Sequence, residues 1–193
     1  ITIHKYEYNE KAKPAGTGAD GEKAPTGAKP LGGVTFEIYQ VQNEDWLKQY
    51  YGGGNVETTN KLLATDYYSK DKSTGKITVN TGAILKDTIT TSNDDAKKGI
   101  ATASNLDLGL YLVVETKAPD KVTAPVDPFL VSVPMTRIAD NATTNKLTDW
   151  IFDVHVYPKN STTYGEVTIE KKGYTGGSGE TPLKGVKFIL EKH

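Results

Sequence analysis

Cysteine is absent from the 193 residues, which excludes disulfides, thiol catalysis and thiolate metal sites together. A protein exported without disulfides must draw its stability from elsewhere. Long apolar runs are lacking too: no stretch approaches the ~18 residues of a membrane-spanning helix. The opening residues, ITIHKYEYNE, have no signal-peptide pattern, so the segment is expected to be mature or trimmed. Nor is there an excess of either charge. Lys and Arg number 23 against 24 Asp and Glu, a net charge of −1, which leaves no electrostatic footprint for nucleic acid or an anionic membrane. The motifs HExxH and GxSxG do not occur, and no GK[ST] follows Gly52-Gly53-Gly54. The chain therefore reads as a non-enzyme without a cofactor. No metal site is expected. His4 and His155 fall on outward strand faces, where they would be solvated, while Asp94-Asp95 and Asp140-Asn141 lack the spacing of a calcium loop and read as turn caps.

What is present is a β-forming composition. Thr, Val, Ile and Tyr occur in short runs separated by Gly, Asn, Asp and Pro, and 36% of the residues are hydrophobic. That is enough for one domain with a real core and part of another. The fold expected is an all-β sandwich with small helical insertions at EDWLKQYY (44–51) and NDDAKKGIATAS (93–104). YYSKDKSTGKITVNT reads as a polar hairpin region. DLGLYLVVETKAPDK is apolar on both faces and so is a central strand, whereas Pro134 marks the end or edge of DPFLVSVPMT.

The sequence contains one unit twice. ITIHKYEYNE at the start matches VTIEKKGYTG from Val167, and PLGGVTFEIY from Pro30 matches PLKGVKFILE from Pro182. Each copy has a strand ending in lysine (Lys5, Lys171), a Gly-rich loop, and Pro-Leu-x-Gly-Val-x-Phe opening a second strand. Residues 1–163 are read as one complete domain, and 164–193 as the first strands of a second, like domain. Two strands cannot bury a core alone. The second unit is thus part of a tandem array, or it packs on something outside this sequence.

Side chains in a strand alternate with period two. In WIFDVHVYPKN, Trp150, Phe152, Val154, Val156, Pro158 and Asn160 share the apolar face, which is the expected core face. Lys159 is then expected outward and Asn160 inward. In the first strand Ile1, Ile3 and Lys5 share a face, which sends an amine toward the core. Glu115, in phase with Tyr111 and Val113, brings a carboxylate there as well. Desolvation favours the uncharged forms of an amine and a carboxyl. Lys5 could then attack the Asn160 side-chain carbonyl while Glu115 shuttles protons and ammonia leaves, giving an isopeptide cross-link. By the loop-entropy argument used for disulfides, such closure is worth roughly 5 kcal/mol. Resistance to pulling is the larger expected gain. The competing reading is a Lys5 that snorkels out at the strand edge with Glu115 as a salt-bridge partner. Asn160-Ser-Thr and Asn141-Ala-Thr also match the glycosylation sequon, which has meaning only in a eukaryotic secretory context.

Taken together, Trp150-x-x-x-Val154-x-Val156-Tyr157-Pro158-Lys159-Asn160 resembles the pilin motif of sortase-assembled backbone pilins of Gram-positive bacteria. YLVVETKAP resembles their E-box, and the repeated unit is similar to collagen-adhesin B-type immunoglobulin-like domains. The resemblance implies that Lys159 is the nucleophile which a pilus sortase joins to the C-terminal threonine of another pilin subunit, and that Glu115 is the E-box glutamate. It implies an extracellular pilus anchored to the cell wall. The sorting signal, hydrophobic tail and signal peptide of such pilins are not in this sequence, so the segment is expected to accept a subunit but not to donate one. A head-to-tail bond of this kind makes an open filament. The alternative is a stalk or ligand-binding module of a cell-wall adhesin, with residues 9–29 and 43–105 as the contact surface for host ligands.

Overall fold

The structure is a computed structural model that describes residues 1–8, 24, 26–42, 63–138, 147–163, 168–174, 176–177 and 179–191. The chain divides into two compact units, Ile1–Thr163 and Tyr164–His193. The first contains β1 (Thr2–His4), β2 (Tyr6–Tyr8), β3 (Lys29–Pro30), β4 (Thr35–Val41), β5 (Tyr68–Lys70), β6 (Ile77–Val79), β7 (Ala83–Thr90) and β8 (Ile100–Thr102). It continues with β9 (Gly109–Lys117), β10 (Val122–Ala124), β11 (Phe129–Val133), β12 (Met135–Ile138), β13 (Leu147–Ile151), β14 (His155–Val156) and β15 (Lys159–Thr162). Among the described residues the one helical piece is a 3-10 turn at Ala64–Asp66.

One four-stranded sheet runs β11-β9-β4-β7, with β9 inside it as its two apolar faces require. Tyr111 and Val113 of β9 join the main core with Val34, Phe36 and Ile38, whereas Leu110, Leu112 and Val114 join a second cluster beneath Tyr67, Ile77 and Val79. The polar hairpin β5-β6 therefore covers the back of this sheet, and both faces of β9 leave water. β11 ends at Val133, before Pro134.

A second sheet runs β10-β15-β2-β3 and a third β14-β1-β8. β1 and β2 are one stretch of chain that changes sheet at Lys5. Its N–H donates to Gly99 O at 2.7 Å and its carbonyl accepts from Leu31 N–H at 2.9 Å. Gly99 has φ +77°, and a Cβ there would lie 2.6 Å from Lys5 O, so only glycine fits. In the second unit, β16 (Lys172–Tyr174) pairs antiparallel with β17 (Glu180–Pro182). Leu183 N–H donates to Lys171 O at 2.9 Å, the same bond at the equivalent place in the repeat.

Three expectations are corrected. The 93–104 segment is not helical: Asp94 Oδ1 accepts from Ala96 N–H at 2.9 Å in a turn, and Gly99 leads into β8. The other expected helix, 44–51, lies outside the described residues, as do Asp140-Asn141 and residues 9–23 of the presumed contact loops. Second, WIFDVHVYPKN is not one strand. It breaks at Phe152–Asp153 and again at Tyr157–Pro158, and period-two alternation holds only within an unbroken strand. Trp150 and Phe152 are consequently 53% and 63% exposed, while Val154 is fully buried. Third, Lys159 is not outward. It is 4% exposed and Asn160 is 0% exposed, so both faces of β15, an interior strand of its sheet, are covered.

Candidate functional site

Lys5 at the β1–β2 junction, Glu115 on β9 and Asn160 on β15 are widely separated in the sequence, and the fold brings them to one point. Lys5 follows Ile1 and Ile3 inward at the sheet change and is 0% exposed. Asn160 sits on β15, level with Glu7 of β2 in a parallel register. Glu115 lies on β9 opposite Phe36 of β4. Lys5 Nζ donates to Glu115 Oε2 at 2.7 Å and to Asn160 Oδ1 at 2.6 Å. Asn160 Nδ2 donates to Glu115 Oε1 at 2.6 Å. The Lys5 and Glu115 side chains are 0% and 1% exposed, and the Phe36 ring lies 5.3 Å from the amine.

This geometry has the parts of an acyl transfer. Amine and amide carbonyl are in contact, and one carboxylate touches both nitrogens. A proton passing from Nζ to Oε2 frees the amine lone pair without leaving a buried charge, whereas the ion pair itself carries a desolvation cost. The carboxyl also touches Nδ2, the atom that must be protonated to leave. Snorkelling is overturned, because Lys5 does not reach solvent.

Two contributors have little signal in the sequence. The backbone N–H of Val126 donates to Asn160 Oδ1 at 2.8 Å. A main-chain donor in a loop has no residue-type signature, and the hint available was the pair of prolines in PVDP (125–128). Gly99 supports the Lys5 backbone, and its signal was an isolated glycine entering a strand pattern.

Lys159 is level with Tyr6 of β2. Alternation within β15 sends it to the face opposite Asn160, yet both faces are covered. Of the motif residues, Val154 and Pro158 are buried and Val156 and Tyr157 half-buried. His4 and His155 are not simply solvated: His4 Nε2 and His155 Nδ1 share a hydrogen bond at 2.8 Å, and His4 stacks on Tyr157. Among the described residues no group of three or more His, Cys, Asp or Glu could hold a metal ion, and no helix is long and apolar enough to cross a membrane.

Comparison with known proteins places this geometry in context. The family profile described as "Gram-positive pilin subunit D1, N-terminal domain" matches residues 1–161. Fimbrial subunit type 2 of Actinomyces naeslundii is 32% identical over 187 residues, covering 92% of this chain and 32% of that protein. Fimbrial subunit type 1 of Actinomyces viscosus is 33% identical over 164 residues, covering 83% and 26%. The chain thus spans about a third or less of the length of these relatives. The solution structure of the SpaA pilin–signal peptide complex of Corynebacterium diphtheriae superposes with a TM-score of 0.55 at 24% identity, covering 84% of this chain and 96% of that one. At that identity the likeness concerns the fold, which is of the immunoglobulin-like type found in pilin domains.

Proposed function

Given that the chain belongs to the Gram-positive pilin subunit D1 N-terminal domain family, we propose that it is the N-terminal part of a pilus shaft subunit at the bacterial surface. In this reading a pilus-specific sortase joins Lys159 to the C-terminal threonine of another subunit, and the fibre is held at the cell wall. The observation that carries the reading is the family match over residues 1–161, which takes in both Lys159 and the buried trio. A host-binding adhesin module has no comparable support. Residues 164–193 begin a second domain of the same kind, a reading supported by the bond from Leu183 to Lys171 that repeats the one from Leu31 to Lys5.

A side chain that is 4% exposed must gain exposure before an acyl-enzyme can reach it, so the joining step includes an opening around Lys159. Incubation with a pilus sortase and a sorting-signal peptide tests the role. A conjugate mapped to Lys159, lost in Lys159→Ala, is expected; conjugation elsewhere, or none with any pilus sortase, sinks it.

Inside the domain, Lys5 and Asn160 form an isopeptide bond. The Lys5 Nζ to Asn160 Cγ bond forms and the Cγ–Nδ2 bond breaks. Glu115 carries a proton from Nζ to Nδ2, and ammonia departs. Intact mass is expected to fall short of the sequence mass by one ammonia, about 17 Da, as acyl transfer with an amide leaving group requires. A full mass overturns this part without touching the role of Lys159.

A further inference from the structure

We propose that the backbone N–H of Val126 is the oxyanion donor of the Lys5–Asn160 condensation, an inference that rests on the internal bond proposed above. Addition of an amine to an amide places negative charge on the carbonyl oxygen, here Asn160 Oδ1. Two donors reach that oxygen, Lys5 Nζ at 2.6 Å and Val126 N–H at 2.8 Å. They do not share its fate. Nζ is the nucleophile, and as it moves onto Cγ it stops donating to the oxygen. Glu115 is committed to the nitrogens, with Oε2 on Nζ and Oε1 on Nδ2. Among the contacts of the described residues, the Val126 N–H is the donor left on the oxygen while charge develops there.

The loop is built to hold that donor still. Pro125 precedes Val126 and Pro128 follows two residues later, which fixes φ on either side of the donor. Pro128 is buried and the Val126 side chain packs against the main core. Between them Asp127 accepts from Lys70 Nζ at 2.6 Å, tying the loop to the β5-β6 hairpin. A donor fixed beforehand needs no reorganisation as charge appears, which is what makes such groups effective in water-excluded sites.

The test replaces valine 126 by its α-hydroxy acid in the full chain, exchanging the N–H for an ester oxygen and leaving the side chain unchanged. Chains from a cell-free synthesis pulse are chased, given a brief trypsin pulse to remove unfolded molecules, and quenched in acid. Mass spectrometry then reads the fraction that has lost ammonia. Removal of one such donor is expected to slow bond formation on the order of a hundredfold. Leu106→Ala, which loses packing on the same core outside the loop, should bond at the unmodified rate even where its melting temperature falls. Val126→Pro removes the donor by a second route, should the ester chain not survive trypsin. Bonding of either donor-less chain at the unmodified rate overturns the proposal, as does a rate loss in Leu106→Ala equal to theirs. An unmodified chain that never loses ammonia instead refutes the internal bond itself.

Discussion

Gly99 shows how one residue without a side chain positions another's chemistry. Any Cβ at 99 would lie 2.6 Å from Lys5 O and 3.0 Å from Leu31 N, at φ +77°. The left-handed backbone alone costs a non-glycine residue about 1–2 kcal/mol, and here both neighbours are backbone atoms that cannot swing aside. Gly99→Ala is therefore expected to lose at least ~2 kcal/mol in urea unfolding and to leave part of the population without the internal bond. Gly82, with nothing within 4 Å of its Cβ position, is the control, and alanine there should be nearly silent. At Glu115 the expectation is chemical. Glu115→Ala leaves the Lys5 amine and the Asn160 amide buried with no proton carrier, so the sequence mass should be restored and the melting temperature lowered. An Ala variant that still loses ammonia would show that Glu115 is not the shuttle.

The pairing of β1 with β14 carries a pH dependence. His4 and His155 meet at 2.8 Å across these strands, with the Tyr157 ring stacked on His4 and Asp153 3.2 Å from His155 Nε2. Burial, and then the neighbouring His155, hold His4 below its ordinary value. A base with a lowered pKa in the folded state adds stability above its unfolded pKa, near 6.5, and loses that contribution as pH falls through the folded value. The melting temperature of the unbonded Glu115→Ala chain should therefore fall between pH 7.5 and 5.5, and His4→Gln should flatten that slope. The same pair shows what a sequence can and cannot tell. Alternation in β9 was readable because that strand is unbroken, and it sent Glu115 inward with Tyr111 and Val113, as the phase of Ile1 and Ile3 sent Lys5. It failed over residues 150–160, where two breaks reset the phase and left Trp150 and Phe152 outside, and where Lys159, on the face opposite Asn160, is covered all the same. The histidine contact depends on the parallel register of strands 151 residues apart, which no local pattern encodes. The Val126 N–H was equally hidden, since every residue type but proline offers the same donor.

Taken over the molecule, the two proposed covalent joints would have different mechanical roles. If the fibre is pulled, tension enters at Lys159 and leaves toward the second unit past Thr163, the last residue of the first. The covalent path between these points is a few residues of β15 and its exit, and the remainder of the first unit hangs beside it. The Lys5–Asn160 bond is not on that path. Its value is then to keep the domain closed against thermal opening and proteolysis, and the expected gain in resistance to pulling does not apply to this direction of load. The case differs when force enters at the N-terminus. There the bond shortcuts a loop closed across 155 residues, which on unfolding would release roughly 500 Å of chain at ~3.4 Å per residue. Single-molecule extension with one handle conjugated at Lys159 and the other beyond residue 193 should give the same length change for the bonded chain and for Glu115→Ala. With the first handle moved to residue 1, only Glu115→Ala should show the roughly 500 Å step. A step of that size from the unvaried chain with its handle at residue 1 would mean that the Lys5–Asn160 bond is not there.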